Sequence, residues 1–162
     1  VLLPLIREKT DVPLIAAGGI TCGRTMAAAF ALGAEGVQMG TRMVSAAESP
    51  VHANWKNAIL AAEETGTVFL NRFGSPSLRA LRTEKTTRLE RELTPDYKGP
   101  PVMAEFGNAK DLYFGGDMEA SIALTGQVAG RIDAIKPVAQ IIAETVAGFA
   151  EIAAGLGRIA AA

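Results

Sequence analysis

The chain has 162 residues, is 49% hydrophobic and carries a formal net charge of −1. That is enough to bury a core, and it leaves no electrostatic footprint for nucleic acid or an anionic membrane. One Cys excludes an internal disulfide, and with one His it cannot build a metal site of ordinary spacing.

The chain opens on VLLPLIREKTD, already at helical spacing, which reads as a helix over residues 1–9. The start does not resemble a signal peptide, and with no initiator Met and no leading strand the sequence reads as a piece of a longer polypeptide. A turn at Asp11–Pro13 leads into a strand over Leu14–Ala17, whose continuous apolar run suits a parallel strand covered on both faces. Thr21 is placed to cap a helix that runs to Leu32 and stops at Gly33. A second buried strand covers Gly36–Met39. Thr41–Ala47 then leads to a helix over Pro50–Glu64, with Pro50 in its first turn.

The character then shifts. Thr67–Arg72 is β-rich, Ser77–Leu93 is charged, and Thr94–Pro101 is a proline-rich loop. Glu105–Tyr113 reads as a short helix. Glu119–Ile132 reads as a helix interrupted by Gly126 and Gly130, and Pro137–Leu156 as an alanine-rich helix. No uninterrupted run of about 18 apolar residues occurs, because Glu144, Glu151 and Arg158 break the tail, so no membrane-spanning helix is expected. The lone thiol suits a reducing compartment, so a cytoplasmic protein is expected.

The two early strands end on Gly18-Gly19 and Gly40-Thr41, one βαβ unit apart. A glycine N–H reaches a phosphate oxygen without a Cβ in the way. The N–H groups of Gly18, Gly19, Gly40 and Thr41 are therefore expected to converge on one phosphate, with the Thr41 hydroxyl as a further donor. The competing reading is that these glycines only permit tight strand-to-helix turns. In (β/α)8 barrels the loops after the seventh and eighth strands make such a phosphate site.

Other chemistry-bearing residues read as structural. His52 lies at a helix start beyond the phosphate loop, and Lys56, four residues on, reads as a surface or packing lysine. Cys22 sits near a helix N-terminus, which lowers a thiol pKa, but no partner accompanies it. Arg24 and Arg42 flank the glycine ends, either pairing with phosphate or capping the rim. The basic run Arg79–Arg91 is interleaved with Glu84 and Glu90 and reads as a solvated face. Trp55 and Phe30 read as core.

These residues carry a resemblance. Val12 to Ile59 resembles the C-terminal half of the nitronate monooxygenase family, formerly the 2-nitropropane dioxygenases, which is similar to the flavin-dependent enoyl-acyl-carrier-protein reductases. The motifs are AAGGI (16–20), ALGAEGVQMGTR (31–42) and ESPVHANWK (48–56), followed by GQVAG (126–130). Cys22 departs from the family's Asp or Asn, and Thr25 from a common Gly.

The resemblance implies an α/β fold, the C-terminal part of a TIM (β/α)8 barrel with an appended, mostly helical segment. It divides the chain into βα units at 1–66, a substrate-side cover or insertion at 67–118 and a returning helical segment at 119–162. It implies FMN as cofactor, with Gly18, Gly19, Gln38, Met39, Gly40 and Thr41 on its phosphate and Gln127 near the flavin edge. The family's catalytic His belongs to a Gly-rich loop outside this sequence, so no catalytic residue is expected here. The activity implied is oxidation of an alkyl nitronate by O2 to a carbonyl compound and nitrite. The alternatives are NAD(P)H-dependent enoyl reduction or a non-catalytic half-barrel. The partners implied are a small-molecule substrate, O2 and the N-terminal half of the barrel. Exposed strand edges would otherwise favour a homo-oligomer.

Overall fold

The computed structural model describes residues 2–161. Its first sheet joins β1 (Ile15–Ala17) and β2 (Gly36–Gln38) in parallel, with Ala16 opposite Val37. Parallel neighbours need a crossover, and α2 (Gly23–Ala31) supplies it. Gly33, at φ 98°, ends that helix in the left-handed region where glycine is at home. The short α1 (Leu2–Arg7) precedes β1.

β1 is not covered on both faces as its composition predicts. Only Ala16 is buried, and Ile15 is 69% exposed. Two parallel strands close no barrel among the described residues.

Two helix starts also differ from expectation. Cys22, not Thr21, is the N-cap of α2, because the Thr25 hydroxyl accepts from the Cys22 backbone N–H at 3.2 Å and from Thr21 N–H at 3.0 Å. Such reciprocal bonding satisfies helix-end donors. After the short α3 (Thr41–Val44), α4 spans Ala53–Leu60 and begins three residues beyond Pro50. His52 caps α4, its Nδ1 accepting from Asn54 N–H at 3.1 Å.

The charged middle segment folds around its own apolar side chains. β3 (Thr67–Leu70) and β4 (Leu78–Leu81) form an antiparallel hairpin, and α5 (Glu84–Glu92) packs on it. Val68, Leu70, Ala80 and Leu89 are almost fully buried there. The opposite face of the hairpin carries Leu81, which packs with Trp55 and Ile59 of α4.

No helix spans Glu119–Ile132. Residues 123–125 instead run antiparallel to β4, with Leu81 N–H donating to Ala123 O at 3.0 Å and Thr125 N–H to Arg79 O at 3.1 Å. The free edge of β4 offers hydrogen bonds that a local helix cannot, and only a 3-10 turn follows, at Gln127–Arg131. The helix predicted at Glu105–Tyr113 is likewise replaced by a 3-10 turn (Val102–Phe106) and a π turn (Asp111–Gly115), separated by Gly107 at φ 52°.

The last helix, α6 (Val138–Ala160), is longer than predicted and crosses α2. The crossing is close because two glycines meet. A Cβ on Gly23 would overlap the backbone of Gly148 and Phe149. Phe149 meets Phe30 with ring centroids 5.0 Å apart. By length and composition alone α6 is long and apolar enough to cross a bilayer, its three charges notwithstanding. Here it packs chiefly against α2.

Candidate phosphate-binding site

The glycine ends lie together because their strands are neighbours, with Ala17 opposite Gln38. Gly18 and Gly19 follow at φ 86° and 81°, a left-handed pair that side-chain-bearing residues adopt at a cost. Gly40 has an ordinary φ of −92°. A Cβ built on any of the three meets nothing within 4 Å. These loops therefore need no glycine for internal packing, and Gly40 needs none for its backbone.

Among the described residues nothing accepts a hydrogen bond from the backbone N–H of Gly18, Gly19 or Gly40. Exposed, unpaired donors in a left-handed loop make an anion cradle. The loop fits a phosphate group on that ground. A groove of ≈ 530 Å3 between β1, α1 and α2 opens beside Gly18 and Gly19, lined by Leu3, Ile6, Ile15 and Leu32.

The two remaining parts of the predicted site also meet. The Thr41 hydroxyl oxygen accepts from Gly126 N–H at 2.8 Å, which sets Gln127 beside the MGTR segment from 85 residues away. The hydroxyl proton of Thr41 stays free to donate. Gln38 and Gln127 are exposed, whereas Met39 packs against the cluster of Ala16 and Ile20, so Met39 can offer only its backbone.

Arg42 turns away from the glycines. Its Nη1 donates to Ala134 O at 2.9 Å and Ser45 Oγ at 3.0 Å, and only 6% of the residue is exposed. Burial pulls its pKa below the ordinary guanidinium value, partly offset by Asp133 and Glu144. Arg42 thus fastens the rim and is not a phosphate ligand. Lys56 is buried and packs, donating to Ser49 O at 2.7 Å and Ala47 O at 3.1 Å.

Cys22 opens onto a polar cavity of ≈ 210 Å3 that Arg42 and Lys136 also line. Burial is the largest influence on its thiol and raises the pKa. Hydrogen bonds from Thr25, Arg24 and Thr21 together outweigh it and hold the thiol below its usual range. Sequence reasoning missed the burial of Arg42 and the dual role of Thr25, for which no local pattern exists.

Residues 1–148 match the family model described as nitronate monooxygenase, and the chain belongs to that family. A probable nitronate monooxygenase of Staphylococcus saprophyticus is 37% identical over 111 residues, which are 67% of this chain and 30% of that protein. The solved structure of FabK from Thermotoga maritima is 40% identical with a TM-score of 0.87, covering 98% of this chain and 51% of that one. A nitroalkane oxidase from Streptomyces ansochromogenes is 26% identical with a TM-score of 0.76, covering 96% and 44%. The chain therefore has an α/β fold resembling part of these enzymes, and spans about half the length of the solved structures it resembles.

Proposed function

We propose that this chain is the phosphate-holding part of an FMN-dependent oxidoreductase. The observation that carries the reading is the bond between Thr41 and Gly126, which joins the open glycine loops to the segment bearing Gln127. Gly18, Gly19, Gly40 and Thr41 would hold the phosphate through backbone N–H groups, and Gln38 and Met39 would contribute backbone only. Gln127 would stand at the flavin edge. The flavin, when bound, supplies electron or hydride transfer, and the protein supplies binding and orientation. The division at 1–66, 67–118 and 119–162 belongs to the same reading, with the hairpin and α5 as the substrate-side cover.

Two substrates compete. Higher identity over nearly the whole chain to the FabK structure favours reduction of an enoyl thioester at the expense of NAD(P)H. The family model and the staphylococcal relatives favour oxidation of a nitronate with O2. We give the first the greater weight, because the identity to the FabK structure is 40% over 98% of the chain, against 26% over 96% for the nitroalkane oxidase. In either case the exposed β1 side chain of Ile15 and the groove beside it would be covered by polypeptide preceding β1 in the full-length relatives.

The deciding experiment adds FMN to the purified chain and records the visible spectrum after desalting. Retained flavin bands support the reading, and a colourless protein with intact secondary structure overturns it for this chain. Assayed together with the polypeptide that precedes this stretch in its relatives, NAD(P)H oxidation driven by an enoyl thioester supports the favoured substrate. Oxygen uptake driven only by a nitronate transfers the assignment to the other.

A further inference from the structure

The β3–β4 hairpin carries two arginines that, among the described residues, answer no carboxylate. Arg79 lies 5.3 Å and Arg72 6.0 Å from the ring centroid of Phe69. Phe69 is the cross-strand partner of Arg79. Arg79 is further held by donating from Nη1 to Thr67 Oγ1 at 3.1 Å. Among the described residues neither guanidinium enters an ion pair, whereas nearby Arg82 pairs with Glu90, and Arg88 with Glu92 and Glu105.

Position gives the pair its meaning. Side chains alternate along a strand, so Phe69 and Arg79 share a sheet face with Leu81, which packs on Trp55 of α4. The Arg79 carbonyl accepts from Thr125 N–H, and the next residue, Gly126, is pinned to Thr41. Arg79 is therefore one strand spacing, about 4.8 Å, from the arm that bears Gln127.

We propose that Arg72 and Arg79, held over the Phe69 ring, bind a phosphate ester of the substrate that reaches the flavin edge. This rests on the flavin-oxidoreductase reading. A cation over the ring face is held there, and Arg79, whose Nη1 is on Thr67, keeps its other N–H groups for phosphate oxygens. The same chemistry would serve a nucleotide phosphate of the reductant or the phosphate of a pantetheine thioester.

The test titrates the chain with 2′,5′-ADP, phosphopantetheine and phosphate-free pantetheine, followed by calorimetry. The wild type should bind the phosphate-bearing probes and not pantetheine. R72A and R79A should each weaken that binding about tenfold, or about 1.4 kcal/mol. R79K should lose part of it, and R91A, with the same charge change on exposed surface, none. Preference for 2′,5′-ADP assigns the site to the reductant, and preference for phosphopantetheine assigns it to the acyl substrate. Equal affinity in wild type, R72A, R79A and R91A overturns the proposal, as does equal binding of pantetheine. Thermal melts by circular dichroism establish that each variant is folded. FMN retention measured in parallel separates the two claims: flavin retained with indifferent arginine variants overturns the arginine site and spares the flavin reading.

Discussion

Thr41 accepts a hydrogen bond from the backbone of Gly126 across 85 residues of sequence. The threonine that opens α3, just after β2, is thus the clasp for the arm carrying Gln127. Thr41→Val keeps the shape and removes the acceptor. It should cost about 1 kcal/mol, the usual worth of such a bond. A lower urea midpoint with unchanged slope would show it, and Thr41→Ser should restore both the midpoint and FMN retention.

Gly40 separates binding from folding. Its φ is unstrained and a Cβ there meets nothing within 4 Å. Gly40→Ala should leave the melting curve unaltered while weakening FMN retention, and Gly40→Val should abolish retention. Gly19→Ala should do both kinds of damage, with about 1 kcal/mol lost to the positive φ. Unimpaired flavin binding in Gly40→Val would remove Gly40 from the site.

The α2–α6 crossing is asymmetric. Gly23→Ala forces a methyl into the backbone of Gly148 and Phe149, and overpacking of this kind costs about 1–3 kcal/mol or more. Gly148→Ala places its methyl 3.5 Å from Gly23 Cα, an ordinary contact, and should stabilise α6 by up to about 1 kcal/mol through helix propensity. Thermal melts of the two variants should move in opposite directions.

Cys22 should react as a thiolate at lower pH than an unstructured cysteine. Its folded pKa is depressed, so the preference for thiolate stabilises the fold above the unfolded thiol pKa and is lost as pH falls through the folded value. The rate of iodoacetamide alkylation should rise with pH at an earlier midpoint in the native chain than in urea. Thr25→Ala, which removes hydrogen bonds to the thiol and the cap, should shift the native midpoint upward.

His52→Ala should cost about 0.5–2 kcal/mol through the lost cap on α4 and leave flavin reduction nearly intact. A large loss of turnover with an unchanged melt would reassign His52 to the chemistry.

What was legible in the sequence was local. Apolar runs ending on glycine marked β1 and β2, and Gly33 marked the end of α2. The clasp between Thr41 and Gly126 was not legible, because no pattern links a hydroxyl to an N–H that distant. The 123–125 arm was misread as helix for a related reason. Its partner, β4, lies more than forty residues earlier, and pairing with that edge outweighs local propensity. For Arg42 the sequence leaves phosphate pairing and rim capping both open, and the carbonyl it caps, Ala134, lies at the far end of the chain.

The glycine contact between α2 and α6 ties distant stretches of sequence into one unit of inheritance. Position 148 has room for a methyl group, and position 23 has none. Any larger side chain at position 23 must lever α6 outward and carry Phe149 off Phe30. Residue 23 begins the helix that follows Gly18-Gly19, so the path of the C-terminal helix backbone constrains which sequences can enter α2 from the phosphate loop.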